Sequence, residues 1–147
     1  MVLIDQWSGR SLYATYRVER DDPWIVVFTQ SKEDCISQLE ALAGVSAVNT
    51  FSKELAGRRV VHFVVVTSAL SSFAHGYISR PDRALLSNAF YLILAQHSAD
   101  VWLEWIPSEA NVTDLPSRVK GDDWWSSWPC KHVAESSSLP GAHGREK

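Results

Sequence analysis

Residues 60–66 read "VVHFVVV", and the fold turns on how that run is interpreted. β-branched and aromatic side chains suit a pleated surface and lose rotamer freedom in a helix, so a short run of them reads as a strand. Because the run shows no apolar–polar alternation, it predicts a strand covered on both faces, as in a parallel or mixed sheet flanked by helices. Gly57, in "AGRR" (56–59), ends the element before it.

Toward the N-terminus, Ile36, Leu39, Ala43, Ala47, Phe51 and Leu55 recur at three- and four-residue steps. That spacing predicts an amphipathic helix over about 33–55, loosely capped by Ser31 and Asp34, with those six residues on the buried stripe. Glu40 falls at the stripe's edge. It is either a boundary residue with its carboxylate in water or a group held beside the sheet to meet something charged. Further upstream, Val2–Ile4 and residues 11–18 flank a Ser8-Gly9 turn signal and predict a hairpin, and "WIVVFT" (24–29) predicts a third strand.

Toward the C-terminus, "TSALSSFAHGYI" (67–78) predicts a short helix with Leu70, Phe73 and Tyr77 on one side and Gly76 near its end. Pro81 then starts a longer helix, apolar on most faces, with Asp82 placed to complement its N-terminal dipole. "VWLEWI" (101–106) is a last strand, on which Trp102 and Trp105 face opposite sides. Strands interleaved with helices in a chain of 147 residues predict one α/β layered domain, with ligand chemistry at the carboxyl ends of its strands. Residues 119–147 are rich in Gly, Ser and Pro and carry Trp124, Trp125 and Trp128; they read as a disordered tail on a domain spanning 1–118.

Composition narrows the functional classes. With 46% hydrophobic and 21% charged residues the chain resembles ordinary globular domains, and no apolar run approaches the roughly 18 residues that span a bilayer. No membrane partner is expected. The N-terminus lacks the pattern of a secretory signal, which leaves a cytoplasmic or nuclear location as the expectation. Cys35 and Cys130 read as ordinary thiols, because Cys130, His132 and His143 lack a fourth well-spaced ligand. A net charge of −3 offers little general attraction to nucleic acid. Local basic pairs, Arg58 with Arg59 and Arg80 with Arg83, are the exceptions. His75 reads as a helix-end residue facing the dipole, and His62 and His97 as strand or boundary residues.

One carboxylate stands where such a domain does its chemistry. In "WLEWIPSEANVTDLPSR" (102–118), Asp114 follows the last strand among prolines, tryptophans and an asparagine. Together with "ISQLEALAGVSAV" (36–48) and "LAGRRVVHFVVVTSALSSFAHGYISRPD" (55–82), this segment resembles the type I ribonuclease H domain of retroelement reverse transcriptases. The Pro-Ser, Asn, Asp, Ser-Arg signature is the most specific part, and the likeness covers roughly residues 1–118.

The resemblance implies a ribonuclease H-like mixed sheet flanked by helices, and hydrolysis of the RNA strand in RNA/DNA hybrids by two Mg²⁺ (or Mn²⁺) ions held by four acidic residues. Glu40 matches the acidic residue of the first helix and Asp114 that of the last. Where relatives carry Asp-Asn after the buried strand, Val65 and Val66 stand here. No histidine lies between Trp105 and Arg118, where relatives often carry one. "VLIDQWSG" (2–9) fits the second strand of such a domain, so the first strand and its carboxylate are missing, and Asp5 fits a hairpin better than a metal site.

With Glu40 and Asp114 as the only matched ligands, the implied enzyme is a degenerate hybrid endoribonuclease. The alternative is a non-catalytic nucleic-acid or protein binding module of the same fold. Arg58, Arg59, Arg80, Arg83, Arg118 or Lys120 would then supply the phosphate contacts. A polymerase domain of a longer polyprotein is the partner that the resemblance implies. A missing central strand also implies that its two neighbours expose backbone groups or pair with each other.

Overall fold

The computed structural model describes residues 1–14, 35–75, 81–113 and 130–132. The expected strand at 24–29, residues 15–18 of the hairpin, Gly76, Tyr77, the Asp82 side chain and the tail tryptophans lie outside the described residues. The described part is mixed α/β. An N-terminal hairpin, β1 (Val2–Ile4) and β2 (Ser11–Tyr13), is followed by α1 (Ile36–Thr50), α2 (Ser52–Leu55) and β3 (Arg59–Val64). Then come α3 (Thr67–His75), α4 (Pro81–Gln96), β4 (Asp100–Trp105), a 3₁₀ turn at Ser108–Ala110, and β5 (Cys130–His132).

The hairpin forms as expected. β1 and β2 pair antiparallel with Leu3 opposite Leu12, and Gly9 occupies the left-handed region at φ 66° that the turn requires. Asp5 closes that turn, its Oδ1 accepting the backbone N–H of Trp7 at 3.0 Å and of Ser8 at 3.3 Å. β3 and β4 pair in parallel, Val61 beside Trp102 and Phe63 beside Glu104. A parallel pair needs a crossover, and α3 and α4 supply it. Pro81 is the first residue of α4, where its missing N–H costs nothing.

The core gathers where α1, α3 and α4 cover one face of β3–β4. Phe73 and Phe90, both fully buried, stack with ring centroids 4.4 Å apart, and Leu42, Val45, Val64 and Leu86 close around them. Leu12 and Ala14 tie the hairpin to the same core. His62 lies inside it, its ring 5.3 Å from that of Phe90 and 6.3 Å from that of Phe73. Gly44 on α1 passes so close that a Cβ there would sit 3.1 Å from Phe73 Cζ and 3.3 Å from His62 Nε2.

Three expectations are corrected. The expected stripe holds only in part: Phe51 and Leu55 are buried and Leu39 and Ala47 half-buried, but Ile36 and Ala43 are exposed, and α1 buries Gln38, Ala41, Leu42, Val45 and Val48 instead. Packed against α3 and α4, and carrying small Ala, Ser and Gly residues on several sides, this helix has no clear polar side. β3 is covered on one face only, since Val60, His62 and Val64 point inward while Val61 and Phe63 remain more than half exposed. The helices all lie on one side of the pair, and β-branched composition cannot report which face lacks cover. Finally, Cys130–His132, inside the stretch expected to be disordered, adds to β2 as a parallel strand.

β1 and β3 do not pair. They belong to separate sheets, ordered β1-β2-β5 and β3-β4. A groove of about 940 Å³ runs between them, with Leu3, Leu12, Leu55, Val61 and Phe63 on its walls.

Candidate functional site

Glu40 is half-buried in the second turn of α1, and the side chain reaches the carboxyl end of β3. Its Oε1 accepts the backbone N–H of Val65 at 3.3 Å. The neighbouring strand converges on the same point. Ile106 donates its N–H to Val64 O at 3.1 Å, and the indole of Trp105 donates to Val65 O at 3.0 Å. One carboxylate therefore stands at the shared carboxyl ends of two parallel strands, the position expected for ligand chemistry in an α/β layer.

The chain leaves β4 through the turn at Ser108–Ala110 and reaches Asn111, whose Oδ1 accepts the N–H of Thr113 at 3.1 Å and its hydroxyl at 2.9 Å. Asp114 follows, and lies outside the described residues, as do Arg80, Arg118 and Lys120.

The oxygen donors that two divalent ions would need can be counted only among the described residues. Val65 and Val66 carry alkyl side chains where carboxylate and amide oxygens are required, and one Glu40 oxygen already receives a backbone N–H. Glu104 does not help. Its carboxylate lies on the opposite, exposed face of β4, where Oε2 accepts the Trp102 indole N–H at 3.1 Å. These residues do not fit a two-ion site.

Asp5 has another role. Its Oδ2 lies 2.9 Å from Arg58 Nη1, joining the hairpin to the start of β3. The Arg58 guanidinium, then the Ser8 hydrogen bonds and that of Trp7, hold the Asp5 carboxyl well below the usual carboxylate range. Arg58 is thus engaged within the chain, while Arg59, exposed at the start of β3, faces solvent opposite Asp100. Arg83 donates Nη2 to Ser37 Oγ at 2.9 Å and is partly buried, so it too is occupied internally.

No family model, curated protein or solved structure matches the chain. The site therefore rests on its own geometry. One feature escaped the sequence: the Asp5–Arg58 bridge joins residues with no spacing signal between them. The groove lies between β1 and β3, which do not pair. The Trp105 contact was legible in part: the alternation of β4 places Trp105 on the face opposite Trp102, and both rings remain substantially exposed.

Proposed function

We propose that the chain is a retroelement-derived ribonuclease H-like domain whose two-metal site has decayed, so that it no longer hydrolyses RNA/DNA hybrids. The observation that carries this reading is the placement of Glu40. A carboxylate on the first long helix meets the end of the strand that carries Val65 and Val66, beside a second parallel strand leading toward Asp114. In an intact site of this kind the strand end supplies further carboxylates, because two Mg²⁺ ions about 4 Å apart need shared oxygen ligands. Alkyl groups there cannot substitute.

The test is hydrolysis of a labelled RNA/DNA hybrid by the purified chain across a titration of Mg²⁺ and Mn²⁺, with Glu40→Gln and Asp114→Asn as controls. No metal-dependent cleavage is expected from a folded sample. Cleavage that disappears in both variants would overturn the decay of the site, and would mean that other carboxylates complete it.

A non-catalytic binding role is a second reading, favoured by the uncovered face of β3–β4. Phe63 and Trp102, 56% and 66% exposed, lie there on the same face as the exposed Arg59, which has no ion pair among the described residues. Aromatic rings next to a guanidinium suit stacking with phosphate neutralisation. Salt-dependent retention of a hybrid by the wild type, weakened in Arg59→Ala, is the result that would support it.

A further inference from the structure

The groove between the hairpin and β3 has walls made of strand edges. In β3, Asp100 donates to Arg58 O and Ile106 to Val64 O, so the even-numbered residues bond to β4. The N–H and C=O groups of Arg59, Val61 and Phe63 therefore point the other way, and they have no partner among the described residues. The same alternation holds across the groove. Met1 exchanges both bonds with Ala14, and Asp5 donates to Arg10, which directs the backbone groups of Val2 and Ile4 away from β2.

Buried or half-buried backbone groups without partners are costly, and long uncovered edges are normally blunted by charge, proline or a bulge. β3 has none of these devices at Val61 or Phe63. The groove is apolar where it is deepest, at Leu3, Leu12 and Leu55, and charged at its rim. Asp5 and Arg58 neutralise each other there, leaving, among the described residues, Arg10 and Arg59 against the carboxylate of Glu54. Its volume of about 940 Å³ is near the top of the range for small-ligand pockets, about 300–1,000 Å³. The exposed ladder asks for a partner that small ligands do not offer.

We propose that this groove accepts an extended β-strand from another protein, apolar at alternate positions and acidic at its ends. The strand pairs with the outward edge of β3, packs its apolar side chains on Leu3, Leu12 and Leu55, and sets its carboxylates against Arg10 and Arg59. Main-chain hydrogen bonds supply affinity and alternate side chains supply selection, as in other strand-addition complexes. This inference does not depend on the ribonuclease reading.

The experiment follows backbone amide exchange by NMR, with and without a short acetylated peptide of alternating valine and threonine flanked by glutamates. A twin peptide flanked by lysines tests the charge. The glutamate peptide is expected to slow exchange at Val61 and Phe63 at least tenfold, and the lysine twin much less. Arg59→Glu should reverse that preference. Val61→Pro removes an N–H that the β3–β4 ladder does not use and should abolish binding, with slow exchange at Phe90 verifying the fold. Should that variant not fold, Phe63→Lys serves in its place. The proposal fails if neither peptide slows exchange. It fails equally if Val61 and Phe63 are already protected in the dilute free chain, or become protected with rising protein concentration alone, since the occupant is then the chain itself or a second copy.

Discussion

Glu40 and Val65 meet at 3.3 Å, carboxylate oxygen to backbone N–H, joining the second turn of α1 to the end of β3 across 25 residues of sequence. The contact satisfies a donor that the strand ladder leaves unused, so the carboxylate serves the structure independently of any ligand. Glu40→Ala strands that N–H and should cost about 1–2 kcal/mol, whereas Glu40→Gln keeps an acceptor and should cost less than about 1 kcal/mol. Urea denaturation of the two variants separates these outcomes.

His62 makes stability depend on pH. Burial against Phe73 and Phe90 pushes its pKa down from 6.5 to about 4. The folded state therefore holds it neutral while the unfolded chain binds a proton below about 6.5. The contribution is complete above that value, is lost as pH falls toward 4, and levels off beneath it. Its full extent is about 3 kcal/mol, from 1.36 kcal/mol per pKa unit. Unfolding free energies of wild type and His62→Phe between pH 7 and pH 4 should diverge in slope; parallel curves would count against the buried imidazole.

The stacked pair Phe73–Phe90 is fully buried in the core, its ring centroids 4.4 Å apart. Phe90→Ala removes a fully buried ring between three helices and the sheet, and should destabilise by about 3–5 kcal/mol. Thermal unfolding followed by circular dichroism tests it. Exposed Leu92, on the same helix, provides the contrast: Leu92→Ala should change stability by no more than about 0.5 kcal/mol.

Gly44 has no conformational reason to be glycine, since it lies inside α1; the reason is space. A Cβ would press on Phe73 and His62 at 3.1 and 3.3 Å. Gly44→Val should cost about 1–3 kcal/mol despite the better helix propensity of the new residue, because overpacking displaces both rings. An unchanged melting temperature would show that α1 can shift outward.

The Asp5–Arg58 bridge predicts coupling between hairpin and sheet. A double-mutant cycle of Asp5→Asn and Arg58→Met, followed by denaturant midpoint, should show a favourable interaction at low ionic strength that fades at high salt, because Arg58 is half exposed. Acid should remove the same coupling, since Asp5 is held ionised well below the usual carboxylate range and its contribution disappears only as that group protonates.

Local signals carried most of the architecture. Composition and punctuation located β3, β4 and α4 nearly to the residue, because Pro81 and Gly57 mark real boundaries and "VWLEWI" has no competing helical period. The inward face of α1 was not legible: its alanines, serines and glycine give a similar pattern on every side, and neighbours cover more than one of them. Nor was β5, three residues in a Gly, Ser and Pro-rich stretch whose pairing depends on β2 offering an edge. At the site, the position of Glu40 at the margin of the apolar stripe left its carboxylate either in water or beside the sheet, and the partner it finds, a backbone N–H of Val65, has no sequence signature.

That late strand gives the molecule a characteristic order of events. Ser11 pairs with Cys130, so the β2–β5 ladder closes a loop spanning most of the chain, whereas β1–β2 closes within a single turn. Loop-closure entropy and contact order make the first a slow, late step and the second an early one. The β2 edge that β5 covers therefore waits for Cys130–His132, far along the sequence, whereas its other edge is paired by β1 at once.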